Sequence, residues 1–336
     1  MKSPTIAIIG AGPAGLSAAL WLTNLGLTPV VIERESITGG MLNVNFLKND
    51  WVLGQVDTSG LSMAERYRQH IEKKSIDVRL QTHLRGVSRI ANRNDFLLTL
   101  ERDNKKSSLE CEAVLLANGT RYVGKDILPS QVNTVASQNV IEGPYAFVDI
   151  EEQKNKTIVI VGAGDNAFEN AAMLLQQDCK VFVIARSTPR AQRKFVEKVQ
   201  GHPKATIIEN ATLYSAEKSK QGSDSVETMD VGIRYHPWSE NGVHQHHYDI
   251  SSVDRIHVLA GYQANTDSVA PLIFSGLSEF LTCDDNQFLQ VDGFGRTNIS
   301  GIYAAGDVCN IDFPCVVSAV SAGALAAKAI SQDLLG

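Results

Sequence analysis

The chain has no C-x-x-C pair. Its five cysteines, Cys111, Cys179, Cys283, Cys309 and Cys315, are scattered and odd in number. This excludes a secreted disulfide framework and points to a reducing, cytoplasmic setting. Positive charge is also short: 31 Lys and Arg stand against 37 Asp and Glu, for a net charge of −6. A nucleic-acid or anionic-membrane partner would call for a dense basic surface, so neither is expected. Residues 3–32 lack charge altogether, but Gly10, Gly12, Pro13, Gly15, Gly26 and Pro29 interrupt that stretch. The breaks turn a possible membrane span or signal peptide into a strand, a helix and a strand. What remains is an acidic globular chain of 336 residues, 43% hydrophobic, long enough for two domains.

Two segments resemble each other. Thr5–Leu20 and Thr157–Ala172 each run from a short apolar strand through a glycine turn into an Ala-rich helix. They lie too far apart for a solenoid repeat and at a suitable distance for two nucleotide-binding domains in series. Between them and the end, Tyr214–Ser225 reads as loop, and Val231–Trp238 with Val243–Ile250 reads as a hairpin. His236, His244, His246 and His247 fall in that hairpin. With no Cys or acid at ligand spacing beside them, they read as a polar exposed hairpin and not as a metal site. Cys315–Leu335 reads as a buried helix.

Gly10-Ala-Gly12-Pro13-Ala14-Gly15 has the G-x-G-x-x-G spacing. One glycine makes the tight turn, one admits a pyrophosphate to the backbone, and one lets helix and strand pack closely. The phosphates then meet free N–H groups at the positive end of the helix. The next apolar strand ends in Glu33, where a carboxylate can accept from a ribose diol. Gly162-Ala-Gly164-Asp165-Asn166-Ala167 repeats the turn, but its second strand ends in Ala185-Arg186, with Arg190 close behind. An absent acid and nearby arginines suit a 2′-phosphate, so NADPH is expected there in preference to NADH.

These fingerprints, with Gly39-Gly40-Met41, Asp50-Trp51, Leu116–Thr120, Gly261–Thr266 and Thr297–Val308, resemble the low-molecular-weight thioredoxin reductase family of two-domain flavoproteins. The resemblance covers nearly the whole chain. It implies an α/β fold of two Rossmann-like, doubly wound, three-layer domains: an FAD domain from residues 1–122 and 259–336, interrupted by an NAD(P)H domain from 123–258. It also implies a homodimer. For FAD it implies contacts from Gly10, Gly12, Pro13, Ala14, Gly15, Glu33, Gly40, Met41, Asp50, Val87, Gly119, Gly306, Asp307, Cys315 and Val316. Asp307 would hold the ribityl chain. For NADPH it implies Gly162, Gly164, Asp165, Asn166, Ala167, Arg186 and Arg190.

The departures redirect the chemistry. Where the family carries Cys-Ala-Thr-Cys-Asp, this chain reads Tyr145-Ala-Phe147-Val148-Asp149. With the dithiol replaced by Tyr145 and Val148, electrons cannot leave by thiol–disulfide exchange, which needs an attacking and a resolving thiol. Tyr145 and Phe147 could shield the flavin face or simply pack. The family's His-Arg-Arg reads Ala185-Arg186-Ser187, and its Arg-Gln beside the flavin reads Pro314-Cys315, which makes a Cys309–Cys315 redox pair conceivable. The expected activity is an FAD-dependent oxidoreductase carrying electrons between NADPH and an acceptor other than thioredoxin. Ferredoxin, flavodoxin or a small molecule would serve. Against a protein carrier, the chain stops at Gly336 without the extension with which related ferredoxin or flavodoxin reductases cover the flavin. An NADPH-independent flavoprotein, ferredoxin-linked or an oxidase, and a non-catalytic FAD-binding redox sensor are the alternatives.

Overall fold

A computed structural model describes residues 3–46, 48–49, 51–132, 139–145, 148–219, 228–236, 246–310 and 312–336. The chain begins with β1 (Thr5–Ile9), α1 (Pro13–Asn24) and β2 (Thr28–Ile32), then α2 (Gly60–Lys73) and β3 (Asp77–Arg79). A meander follows, β4 (His83–Arg89), β5 (Phe96–Arg102) and β6 (Lys105–Cys111), then β7 (Ala113–Leu116) and β8 (Thr120–Tyr122). The middle of the chain supplies β9 (Val140–Glu142), β10 (Thr157–Val161), α3 (Asp165–Gln176), β11 (Lys180–Ile184), α4 (Arg193–Gln200) and β12 (Ala205–Ile208). Next come β13 (Ala211–Lys218), β14 (Met229–Tyr235), β15 (His246–Val253) and β16 (Arg255–Val258). The last stretch holds β17 (Tyr262–Ala264), α5 (Ala270–Leu277), β18 (Ile302–Ala304) and α6 (Val316–Leu335).

The chain divides into two compact units, one of residues up to Arg121 together with Gln263–Gly336, the other Tyr122–Tyr262. The first has a parallel sheet of order β18-β7-β1-β2-β3. The second has a parallel sheet of order β12-β11-β10-β16-β9. In each, the first strand of the glycine motif stands where the strand order reverses, the switch point at which open α/β sheets bind ligands.

Strand alternation sets the layers. Side chains along a strand point to opposite faces, so Ile6 and Ile8 pack with α1 and α6, while Ala7 and Ile9 pack with the β4–β6 meander. The second unit repeats the division: Ile158 and Ile160 face the α3 side, and Val159 faces β13–β15. The doubly wound expectation is therefore refined: in both units one face of the parallel sheet is covered by an antiparallel ribbon.

One expectation is corrected. Tyr214–Lys218 are not loop but the second half of β13, paired antiparallel with β14. A bulge between Leu213 and Ser215 resets the register, so the buried Leu213 and Ala216 are spaced by three positions. That spacing hides a strand from a reading based on strict alternation. The hairpin is present as β14 and β15, and its connection lies outside the described residues.

Helix α6 lies against α1 with no room for side chains at the closest point. A Cβ on Gly323 would stand 2.1 Å from the Ala14 carbonyl oxygen and 3.1 Å from the Ala18 nitrogen. Gly323→Ala should therefore reverse the usual preference for Ala inside a helix. We expect overpacking of about 1–3 kcal/mol and a fall of roughly 2–10 °C in the melting temperature of the first unit, read by calorimetry. An unchanged or higher melting temperature would show that the helices can part without cost.

Candidate nucleotide sites

The first glycine turn is shaped by backbone contacts. Gly10 has φ +110°, and a Cβ there would stand 2.4 Å from the Ala117 carbonyl oxygen; one on Gly15 would stand 2.0 Å from the Gly10 oxygen. Gly12 caps α1 without any side-chain hydrogen bond, and Pro13 occupies the first turn. The helix end thus offers its amides to an anion. Glu33, 7% exposed, accepts from the Ala11 amide at 2.7 Å through Oε2 and from the Glu35 amide at 2.9 Å through Oε1. These bonds fix the carboxylate beside the turn, and each oxygen keeps a further lone pair for a diol.

Three more segments converge on this turn. The Gly39 amide donates to the Ala11 carbonyl at 2.8 Å, which brings Gly40 so close that its Cβ would stand 3.1 Å from the Gly12 Cα. Met41 follows in the same 3-10 turn. Gly306, with φ +82°, comes against Ala14, where a Cβ would be 2.7 Å from the Ala14 Cβ. Asn118 and Asn265 exchange side-chain to backbone bonds of 2.9 and 2.7 Å, and the Asn265 amide donates to the Gly119 carbonyl at 3.0 Å.

Several buried polar atoms here have no partner among the described residues: Asp307 Oδ1, Thr38 Oγ1, Asn43 Oδ1 and Asn118 Oδ1. Such groups are costly unless a ligand or solvent satisfies them. Burial pushes the Asp307 carboxyl up to about 6. Thr38 and Asn43 carried no role in the sequence reading; only their places, one before Gly39 and three after Gly40, could have pointed to them.

The predicted contact Val87 has another place. It is 1% exposed inside the β4–β6 meander. The segment that lies against Glu33 is 80–83, with Thr82 N–H donating to the Glu33 carbonyl at 2.8 Å and Gln81 N–H to the Glu35 carbonyl at 3.0 Å. A cleft of about 460 Å³ opens there, lined by Arg34, Glu35, Ser36, Gln81, His83 and Arg85 together with Glu101, Asp103 and Asn104. No motif marks Gln81 and His83. Asp50 lies outside the described residues.

Cys315 caps α6, its Sγ accepting from the Ser318 amide at 3.4 Å while Ser318 Oγ accepts from the Cys315 amide at 3.2 Å. Val316 is the first residue of that helix. The Cys309 thiol donates to the Gly306 carbonyl at 3.3 Å, and burial, with Asp307 beside it, pushes it up to about 12. All five cysteines are free thiols.

The second turn repeats the first within its own unit. Gly162 has φ +133°, and a Cβ would stand 2.0 Å from the Leu259 carbonyl oxygen. Gly164 caps α3 without a side-chain bond and faces open space. Asp165 is bound through both oxygens by Gln192, from its backbone N–H at 2.7 Å and its Nε2 at 2.8 Å. Asn166 and Ala167 follow in the first turn of α3. Arg190 is drawn in by its N–H, 3.0 Å from the Ala163 carbonyl. The Arg186 and Arg190 side chains are exposed. Glu169 is raised to about 7 by burial and then by Asp165.

Tyr145 packs edge-on against Tyr122 at 6.2 Å, Val148 is 69% exposed, and Asp149 pairs with Arg255 at 2.8 Å. Phe147 lies outside the described residues, as does His244. His246 packs at a tilt against Tyr235 and His247 edge-on against Tyr214, and no metal-holding cluster occurs among the described residues. Nor is any helix among them long and apolar enough to cross a membrane.

Two parallel-sheet units, each with an uncapped glycine turn at its switch point, define a protein with two dinucleotide sites. The chain belongs to the pyridine nucleotide-disulphide oxidoreductase family, whose model matches residues 4–332. Members of this family are flavin-dependent oxidoreductases that bind FAD and use NAD(P)H, so the chain is an enzyme of that class. It is 28% identical to a glucosaminate ammonia-lyase of Pseudomonas fluorescens, over 100% of this chain and 97% of that protein. It is 26% identical to a thioredoxin reductase of Helicobacter pylori, over 98% of each. In fold it is similar to the thioredoxin reductase of Lactococcus lactis, with a TM-score of 0.77 at 21% identity over 98% of each chain.

Asp307 makes the first unit pH-sensitive when no ligand occupies it. Its folded-state value of about 6 lies above the ordinary 3.8, so the folded form holds the proton more tightly than the unfolded form. Stability from this group is then fully present below the unfolded value and is lost as pH rises through about 6. In flavin-stripped protein, Asp307→Asn should gain stability over wild type between pH 4 and about 6 and keep a constant lead above that. Urea melts at stepped pH read this; a pH-independent difference would contradict it.

Proposed function

We propose that the chain is an FAD-dependent oxidoreductase that takes electrons from NADPH and passes them to an acceptor other than thioredoxin. A ferredoxin, a flavodoxin or a small molecule fits that role, and the working form is a homodimer in the cytoplasm. The observation that carries the reading is the doubled glycine turn: both α1 and α3 begin at a glycine that no side chain caps.

FAD fits the first unit. Glu33 would hold the adenosine ribose, the α1 N-terminus the pyrophosphate, and the unpartnered Asp307 oxygen a ribityl hydroxyl. Gly12 keeps the backbone bare where the cofactor would pass, and Gly10, Gly15, Gly40 and Gly306 let the neighbouring segments close in around it. When bound, FAD supplies acceptance of a hydride equivalent from reduced nicotinamide. In the second unit, Gly162 and Gly164 leave the α3 N-terminus open, and Gln192 engages the Asp165 carboxylate that would otherwise oppose phosphate. Arg186 and Arg190 supply cations for a 2′-phosphate, and the acid that would repel it is replaced by the buried Ala185. Tyr145 and Val148 at the dithiol positions support an exit for electrons that involves no disulfide exchange.

The deciding test is the anaerobic flavin spectrum on adding NADPH, with NADH alongside. We expect NADPH to bleach the oxidised band, and Arg186→Ala/Arg190→Ala to raise the concentration required by about 10- to 150-fold, the worth of one charge-assisted bond, with little change for NADH. A band that persists with both nucleotides but yields to dithionite would overturn NADPH as donor. Asp307→Ala should weaken FAD by a similar factor of about 10–150, seen as a lower flavin-to-protein ratio on dialysis. Full retention would remove Asp307 from the flavin site.

A further inference from the structure

We infer that Arg68, on α2, is a positioning residue for the FAD site, and that with Thr38 and Asn43 it receives a hydroxyl of the bound cofactor. This inference rests on the reading of the first unit as the FAD unit. Two side chains converge on one backbone group, the Thr38 carbonyl, which accepts from Asn43 Nδ2 at 3.0 Å and from Arg68 Nη2 at 3.3 Å. Around it, Thr38 Oγ1, Asn43 Oδ1 and Arg68 Nε are buried with no partner among the described residues. The last two belong to the same planar amide and guanidinium that hold the carbonyl, and Thr38 itself is only 5% exposed. All three residues belong to the first unit.

The place of this cluster ties it to the cofactor. Thr38 precedes Gly39, whose amide donates to the Ala11 carbonyl at 2.8 Å, and Gly40 lies against Gly12. Helix α2 reaches the same turn: a Cβ on Gly39 would stand 2.8 Å from the Ala64 Cβ. Met63 and Ala64 pack there with Leu42, Tyr67 and Val316, the first residue of α6. Arg68 lies one turn beyond Ala64 on the same helix face, with Nη1 on Glu65 and Nη2 on Thr38, so Nε is the group left over. Orphaned buried groups are costly until a ligand meets them, and their chemistry selects the ligand. The guanidinium N–H can only donate, the Asn43 oxygen can only accept, and the Thr38 hydroxyl can do either. A phosphate oxygen has no proton for Asn43, whereas a hydroxyl gives one and still accepts from the other two. With the adenosine ribose assigned to Glu33, the ribityl chain supplies that hydroxyl.

The experiment is serial dilution of the purified holoprotein, with released flavin read by its fluorescence, on wild type, Thr38→Val, Arg68→Lys and Arg68→Met. Thermal melts of the flavin-stripped forms accompany it. Thr38→Val keeps the shape and removes one bond, so FAD should be held about 2- to 12-fold more weakly. Its flavin-stripped form should melt at or above the wild-type temperature, because a buried hydroxyl without a partner has been removed. A purely structural role for Thr38 would lower that temperature and leave the flavin affinity alone. Arg68→Met should weaken FAD by about 10- to 150-fold, and Arg68→Lys should recover only part of this, since an ammonium lacks the fork that spans Glu65 and Thr38. Full recovery by Arg68→Lys would overturn the role given to that fork. If wild type holds no FAD, the FAD reading of the unit falls and the receptor falls with it. FAD held by wild type and equally well by Thr38→Val and Arg68→Met, as when only water fills the place, removes the receptor alone.

Discussion

Both units hang on one steric constraint: the strand that enters each glycine turn passes a neighbouring carbonyl at a distance that no side chain permits. At Gly10 the neighbour is Ala117, after β7; at Gly162 it is Leu259, after β16. Each is the strand across the switch point, so the close approach fixes the register of the central pair and aims the helix that follows. With a Cβ at either position the strand would have to withdraw, and the helix N-terminus would leave the place where the sheet ends converge. Glu33, Gly40 and Gly306 in one unit, and Gln192 and Arg190 in the other, are all arranged about helix ends set in this way.

Much of this was legible in the sequence, because the features that carry it are local. A strand, a glycine turn and a helix are encoded within about 20 residues, and the consequence of each glycine follows from its missing side chain. The family motifs then named Asp307 and Gly119 as expected cofactor contacts. What escaped was set by contacts distant along the chain. Val87 and the segment 80–83 differ only in which of them a strand edge brings to Glu33. Thr38 and Asn43 are ordinary polar residues until their burial is known. The second half of β13 was missed because one bulge shifts its apolar spacing from two to three.

Tyr145 and Val148 stand where the resemblance places the family's dithiol. Tyr145 packs edge-on against Tyr122, and Asp149 is paired with Arg255, both three-quarters buried. The surroundings of the old dithiol positions are thus organised for packing and charge balance, in keeping with chemistry that resides in the bound cofactor and not in the chain's own sulfur.

The contact between Gly323 and Ala14 joins the last helix of the first unit to its first, and this sets an order of assembly. On the ribosome, residues 122–262 emerge as a continuous stretch that contains every strand of their own sheet. The first unit must wait for β18 and α6. At about 5–20 residues per second, its opening βαβ segment spends on the order of 15–60 s without the helix that covers Ala14 and Ala18. The interrupted domain is the late one, and its apolar N-terminal strands are the part of the nascent chain most in need of shelter.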